Sequence, residues 1–289
     1  MKKLNLLALG LCMAALFSCG KDDSEPTPNP DIPGGGSQTE MAKISAVWEE
    51  HSEYCEKSTD GGNSWHVVGT TDHEKYKRES WVWDGKRPSS VTFRWGDYAY
   101  SDTYDFLYDE EGKLSKFIGD GEKYVMTYDG NRIGRMELFY DGEFYESIDL
   151  TYSNNKIMKM EATDDGENYL CEFVWSGNNL SKLISSEGDD VDFVSRFQSY
   201  DNGNNPYYGQ DWVWPCLLGK NFGYEASKLS ANNCTSSNID GYLVTYEYSY
   251  NSKNYPTRVV ETMIGEPDEY DGVLHRRKDI TTYTYEYVE

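Results

Sequence analysis

The chain alternates apolar and polar residues over short stretches that are separated by turn residues. From Tyr242 to Tyr250 every second residue is tyrosine or valine, and most residues between them are polar. The C-terminal stretch repeats this pattern with Tyr283, Tyr285 and Tyr287. Alternation with a period of two is typical of a β-strand that has one buried face and one exposed face. The pattern therefore predicts strands over most of the chain and little helix.

The strand-to-turn junctions recur at a regular interval. An aromatic residue that precedes small polar turn residues occurs at Trp83, Tyr108, Tyr128, Tyr152, Trp175, Tyr200 and Tyr250. The intervals are 25, 20, 24, 23, 25 and 50 residues, and a period in the low twenties fits one β-hairpin. Eight Asp-Gly dipeptides favour the tight turns that hairpins need. We therefore predict an all-β fold, an antiparallel up-and-down meander of about 14 to 16 strands forming a barrel or flattened barrel.

We expect this barrel to be soluble. A barrel that crosses a membrane presents a continuous apolar row on its outer face. Leu114, Lys116 and Ile118 share one face, and the mean hydropathy of the chain is −0.76. Mixed faces of this kind leave no continuous apolar band.

The doubled interval before Tyr250 predicts a mostly non-strand insertion at residues 205–238, inside a single domain that spans residues 42–289. We expect short helical turns near Leu217 and Leu229, and we expect the segment to cover or enter the barrel. The candidate binding surface consists of four aromatic residues of this segment, which are Tyr207, Tyr208, Trp212 and Trp214. The alternative is that Trp212, Trp214, Leu217 and Leu218 pack into the barrel as core.

Cysteines flank part of this insertion. Cys216 and Cys234 form a candidate disulfide, because an exported protein permits bridges; buried thiols are the alternative. The four histidines have no metal-binding spacing in the sequence, and we found no catalytic motif with the spacing that its chemistry needs. We therefore assign no catalytic residue, no metal and no cofactor to the chain.

The charge balance excludes one class of partner. Lys plus Arg number 27 and Asp plus Glu number 50, which gives a formal net charge of −23. A protein this acidic is repelled by phosphate backbones, so nucleic acid is not a partner.

The N-terminus predicts export and anchoring. Residues 1–18 carry two lysines followed by an apolar run too short to span a bilayer, which is typical of a signal peptide. The signal ends in Leu16-Phe17-Ser18-Cys19, which resembles the lipobox of bacterial lipoproteins, where the cysteine is lipidated. Residues 19–41 then form a Pro- and Gly-rich tether that cannot bury a core. We expect a protein held by lipid in the outer membrane and exposed on the cell surface.

Residues 58–65 resemble the Asp-box of sialidase-type propellers. Ser58, Asp60, Gly62 and Trp65 occupy its defined positions. The resemblance implies a structural hairpin turn, with the aspartate bonding the turn backbone and the tryptophan packing beneath it.

The lipobox, the Pro-rich tether, the Tyr-Asp-Gly hairpins and the insertion together resemble one family. It is the family of Bacteroidetes outer-membrane lipoproteins of unknown function with a porin-like fold. The resemblance covers roughly residues 75–289 and implies no activity. We interpret the chain as a non-catalytic binding lipoprotein with a glycan or protein partner. The alternatives are a structural subunit of an outer-membrane complex and, less favoured, a glycan-active hydrolase.

The anchor prediction is tested by replacing Cys19 with serine. Because a thioether-linked lipid needs the cysteine sulfur, the Cys19→Ser protein should leave the membrane fraction and appear in the soluble fraction, as measured by fractionation and immunoblotting. Persistence of the variant in membranes would contradict the lipid anchor.

Overall fold

A computed structural model of the chain describes residues 42–288, apart from residues 95, 97–99, 165–166, 189, 219–224 and 271. Its strands are β1 (Ile44–Ser58), β2 (His66–Asp72), β3 (Tyr76–Asp84), β4 (Arg87–Arg94), β5 (Ser101–Tyr108), β6 (Leu114–Gly119), β7 (Glu122–Asp129), β8 (Arg132–Tyr140), β9 (Glu143–Ser153), β10 (Lys156–Asp164), β11 (Glu167–Ser176), β12 (Asn179–Glu187), β13 (Asp190–Tyr200), β14 (Cys234–Ile239), β15 (Tyr242–Tyr250), β16 (Pro256–Ile264), β17 (Asp268–Tyr270) and β18 (Val273–Tyr287). The structure also contains a short helix, α1 (Val213–Leu218), and a 3-10 helix (Ala226–Leu229).

The strands form a closed antiparallel barrel. Each strand from β3 to β16 pairs with the next one in sequence, and the circle closes through the β16–β18, β18–β1 and β1–β3 pairings. Sixteen strands form the barrel, and β2 and β17 lie outside it. The predicted all-β meander and its strand number are thus confirmed.

Two long strands extend beyond the barrel wall. β1 and β18 each contain 15 residues. The first part of β1, up to Glu49, pairs with β3, whereas Ser52 to Lys57 pair with β2. On the other side, β18 pairs first with β17 and then with β16. The outer parts of β1 and β18, with β2 and β17 at their edges, therefore project from one end of the barrel as an extension.

The tight turns have the backbone that Asp-Gly sequences favour. Asp120 and Gly121 both have positive φ angles, of 47° and 79°. Asp240 and Gly241 repeat this, at 48° and 87°. Positive φ at both central residues defines the hairpin turn whose twist matches that of the flanking strands.

The repeated aromatic residues at the strand ends bond the neighbouring hairpin. Their ring N–H or O–H groups donate to backbone carbonyls about one repeat earlier in the chain. Tyr108 donates to the Pro88 carbonyl at 2.9 Å, and Tyr200 donates to the Leu180 carbonyl at 2.6 Å. Trp175 donates its indole N–H to the Ile157 carbonyl at 2.7 Å. The aromatic residue that recurs in the sequence therefore forms the same hydrogen bond between each pair of adjacent hairpins named here.

Cation–π contacts connect the same repeats. The basic residue that follows one turn lies over the aromatic ring of the next repeat, with the charge 5.1–5.9 Å from the ring centre. The pairs are Arg87 with Tyr108, Lys113 with Tyr128, Arg132 with Tyr152, and Lys156 with Trp175. Each contact contributes about 0.5–1 kcal/mol at exposed sites.

The insertion connects β13 to β14 and folds into the barrel at the end where β1 begins. The Trp212 ring lies edge-on to Trp81 of β3, with 4.9 Å between centroids, and 6.0 Å from Trp83. Asn205 fixes the base of the segment, because its side-chain amide donates to the carbonyls of Lys228 and Ser230. The predicted entry into the barrel and the predicted helical turns are confirmed. The segment is shorter than predicted, since Cys234 to Asn238 belong to β14.

Trp212 should act as a core residue. Replacing Trp212 with alanine removes its ring contacts inside the barrel and should cost about 3–5 kcal/mol. For a domain of this size that corresponds to a fall in melting temperature of roughly 10 °C, measured by circular dichroism. Tyr208→Ala, at an exposed position of the same segment, is the control and should change the melting temperature little. Equal melting temperatures for both variants would contradict the core role.

Candidate ligand-binding cavity

The insertion fills one side of the barrel and leaves a cavity of about 380 Å³ on the other. Volumes of this size are typical of sites that enclose a small organic ligand. Residues of the wall and of the insertion line it together, among them Arg78, Glu79, Tyr207, Glu225, Lys228, Tyr246, Tyr248, Glu261, Tyr283 and Tyr285. The cavity therefore combines aromatic rings with charged groups.

Arg78 joins the wall of the cavity to the insertion. The β1–β3 register shifts between Val47 and Trp48, so that Arg78 is the extra residue of a β-bulge, and a bulge can re-aim a side chain. The Arg78 guanidinium donates to Glu49 of β1 at 2.8 Å and to Glu225 of the insertion at 2.8 Å. These two carboxylates and the Tyr283 ring at 5.3 Å surround the half-buried cation. Although burial opposes the charge, these neighbours raise the pKa of Arg78 well above its ordinary value.

The insertion contributes a second cation. Lys228 of the 3-10 helix bonds Glu225 and lies over the Tyr207 ring, with 4.6 Å between the ammonium nitrogen and the ring centre. Burial lowers the pKa of Lys228, but Glu225 and Glu79 outweigh this effect and raise it. Lys228 is therefore charged at neutral pH.

Tyrosines from β15 and β18 form much of the cavity wall. Tyr246 and Tyr248 stack with 6.4 Å between their ring centres. Burial raises the pKa of Tyr246 and Tyr283 well above the ordinary value, and that of Tyr285 to about 12. These phenols are therefore neutral and can donate or accept hydrogen bonds.

Glu261 is a cavity residue whose pKa lies near neutral pH. It lies on β16 opposite Thr281 of β18. Burial raises its pKa to about 7; Arg78 opposes this shift, and Glu225 adds to it. Three carboxylates of the lining (Glu79, Glu225 and Glu261), together with the adjacent Glu49 that bonds Arg78, face two cations. The cavity is therefore acidic, and its acidity increases as Glu261 ionises.

Tyr207 presents a further polar group. Its side chain is 5% exposed, and its hydroxyl has no hydrogen-bond partner among the described residues. Leaving a buried hydroxyl unsatisfied costs about 1–3 kcal/mol. Because Tyr207 lines the cavity, a bound ligand could supply the missing partner.

The structure divides the predicted binding surface. Tyr207 lines the cavity, and Tyr208 is 43% exposed. Tyr207, Trp212 and Trp214 are 5%, 5% and 7% exposed, so these three side chains do not form an exposed surface. The two tryptophans pack as core, which was the alternative, and ligand binding by Tyr207 and Tyr208 stays a prediction. The apolar rings of the insertion bury themselves because the barrel interior is wide enough to receive them.

The candidate disulfide is not formed in the structure. Cys216 and Cys234 are both buried and are not bridged in the structure, which agrees with the alternative of buried thiols. Burial raises the pKa of Cys234 to about 12. This thiol is therefore protonated and unreactive at neutral pH.

The Asp-box-like turn has the predicted structural form. Asp60 accepts hydrogen bonds from the Ser58 hydroxyl at 2.7 Å and from the Ser64 amide at 3.0 Å. These bonds, with a further one from the Ser64 hydroxyl, lower the pKa of Asp60. Trp65 packs beneath the Arg276 guanidinium, 4.0 Å from ring centre to charge. The turn closes the β1–β2 hairpin at the tip of the extension.

Several cavity residues were not identified from the sequence. Alternation placed the tyrosines of β15 and β18 on common faces, which was a usable signal. No signal in the sequence identified Arg78 or Glu261, because charged residues are abundant in the chain. The bulge that turns Arg78 inward is also not visible in the sequence.

The comparison with solved structures concerns the fold alone. A crystal structure of a porin-like protein from Bacteroides uniformis matches with a TM-score of 0.51 at 12% sequence identity, covering 85% of this chain and 98% of that one. Neither a protein-family model nor a curated protein matches the chain. The porin-like fold implied by the sequence resemblance is therefore supported, and membership of the family remains a prediction.

Two predictions concern the N-terminal part of the chain. The signal peptide and the Cys19 lipidation site fall outside the described residues, so both remain predictions. Within residues 42–288 as described, no helix is long and apolar enough to span a bilayer.

Glu261 should make stability depend on pH. Its pKa rises from an ordinary 4.5 to about 7 on folding, so the folded state binds more protons than the unfolded state between these values, and stability falls as pH rises through this window. Glu261→Gln removes the ionisation. The free energy of unfolding of the variant should exceed that of the native protein by less than about 1 kcal/mol at pH 5 and by about 3 kcal/mol at pH 8. Urea unfolding at the two pH values measures this difference.

A matched control tests the same charge change outside the cavity. Glu247 lies on β15 and is exposed. Glu247→Gln should therefore change the free energy of unfolding by the same small amount at both pH values. A gain for Glu261→Gln that does not increase with pH would contradict the raised pKa.

Proposed function

We propose that this protein is a non-catalytic lipoprotein of the outer-membrane surface whose barrel binds a small, hydroxyl-rich molecule of the sugar class. The observation that carries the proposal is the cavity between the insertion and the strands β15, β16 and β18. It brings tyrosine rings, carboxyl groups and cations together in one cavity.

Sugars fit the chemistry of this lining. Their apolar C–H faces pack on aromatic rings, and their hydroxyls both donate and accept hydrogen bonds. Glu79 and Glu261 supply acceptors, whereas Arg78 and Lys228 supply donors. The excess of carboxylates over cations disfavours an anionic ligand, which leaves neutral or cationic sugars as the class.

The tether joins the barrel at one defined end. β1 begins at Ile44, at the end of the barrel that the insertion closes, and the extension projects from the opposite end. A lipid at Cys19 would therefore be connected through the tether to the end of the barrel that the insertion closes. The porin-like neighbour from Bacteroides is compatible with this placement.

Ligand binding is tested with a conservative change in the cavity. A glycan array probed with the full chain should identify bound sugars, and calorimetry should give their dissociation constants. Tyr207→Phe removes only the hydroxyl without a described partner, so the melting temperature should not fall while affinity drops about tenfold, as expected for one lost hydrogen bond.

The control for this experiment is Tyr208→Phe, which makes the same change on the neighbouring exposed residue. It should bind like the native protein. Binding of no glycan, or equal affinity of the native protein and Tyr207→Phe, would contradict a sugar site in the cavity.

A glycan hydrolase is the second candidate function, and one observation favours it. Glu261 has a pKa of about 7 and shares a cavity with other carboxylates, and such an environment suits a general acid. Chromatography of bound glycans after incubation distinguishes the two functions. Shortened products that are absent with Glu261→Gln would establish hydrolysis, whereas unchanged glycans support binding alone.

A further inference from the structure

A second cluster of polar side chains lies at the opposite end of the barrel, where the extension begins. His51 and Glu53 share the face of β1 on which Glu49 bonds Arg78, because residues two apart in a strand point to the same side. The residues opposite them on β18 are Thr281 and Asp279. His73 follows β2, and its backbone N–H donates to the His51 carbonyl at 2.9 Å.

Three ligand atoms converge in this cluster. His51 Nε2 lies 3.5 Å from Glu53 Oε1, and His73 Nε2 lies 3.7 Å from the same oxygen. All three atoms lie within 4.8 Å of one another. Zinc bonds of about 2.0–2.1 Å in tetrahedral geometry place ligands about 3.3–3.4 Å apart. If the two imidazoles moved slightly closer to each other and to Glu53, the three atoms would occupy three of the four tetrahedral positions around a zinc ion.

The fold orients one imidazole for this role. His51 Nδ1 lies 2.9 Å from Thr281 Oγ1, which directs Nε2 towards Glu53. A hydrogen bond on the second ring nitrogen is the usual support of a histidine that binds metal. Asp279 Oδ1 lies 3.8 Å from His51 Nε2 and is within reach of the fourth corner.

A protein cation now occupies the place beside Glu53. The Arg277 guanidinium lies 2.9 Å from Glu53 Oε1 and donates to both oxygens of Asp279 at 2.9 Å. Its side chain is 59% exposed, so it can turn into solvent. A metal ion and Arg277 would compete for the same carboxylate oxygen.

We propose that His51, Glu53 and His73 form a zinc-binding site that joins β1 to the segment after β2. Two imidazoles and one carboxylate suit zinc among the common divalent ions, because magnesium and calcium prefer oxygen ligands. Histidine spacing in the sequence indicated no metal role, since these ligands are brought together only by strand pairing. The site is independent of the sugar cavity and of its proposed function.

The proposal is tested by titrating zinc into the full chain, without a histidine tag and after treatment with a chelator, against a chromogenic competitor. One zinc per chain is expected. His51→Asn and His73→Asn should each raise the dissociation constant at least tenfold, corresponding to the loss of one of three ligands. Arg277→Gln should lower it, because it removes the competing cation, and a misfolded variant could not give this result.

Two controls separate this site from other zinc-binding groups. His66→Asn changes an exposed histidine of β2, and Cys55→Ser removes the exposed thiol two residues beyond Glu53. Both variants should bind zinc like the native protein, and X-ray absorption should show nitrogen and oxygen ligands only. No stoichiometric zinc, zinc binding unchanged in both His51→Asn and His73→Asn, or a sulfur ligand would each overturn the proposal.

Discussion

The width of the barrel is the constraint on which the rest of the structure depends. About eight strands give a barrel that its own side chains can fill, and sixteen enclose much more space. Large inward rings such as Trp81, Phe117 and Phe173 fill part of this volume. The insertion fills more of it, with Trp212 and Leu217 buried among the wall residues. What remains is the cavity, so a candidate site follows from incomplete filling of a wide barrel.

The buried charges belong to the same arrangement. Taking Arg78 and Glu225 out of water is costly unless each is paired and hydrogen-bonded. Arg78 meets this requirement by bonding the wall through Glu49 and the insertion through Glu225. The ion pairs therefore fix where the insertion lies against the wall. Glu261, held in the same cavity with a pKa near 7, makes the site sensitive to pH in the neutral range.

Local chemistry made much of the fold predictable. The aromatic residue before each turn and the basic residue after it recur because each forms a contact with an adjacent hairpin, as Tyr108 does with Pro88 and Arg87. Such contacts repeat with the period of the chain, so the period was visible in the sequence. The cavity was less predictable. Trp212 and Tyr207 could be recognised as unusual, but whether an aromatic ring faces solvent or core depends on the space available across the barrel.

The sequence by itself determined the strand-rich meander, the positions of its turns and the existence of one insertion, because alternation, Asp-Gly turns and repeat length are local properties of the chain. Only the tertiary structure decided which groups meet. The bulge that turns Arg78 inward, the pairing of β1 with β18 that sets His51 opposite Thr281, and the cavity beside Glu261 all arise when strands distant in sequence close into a circle. Closure depends on the register of every strand, and no local pattern contains that information.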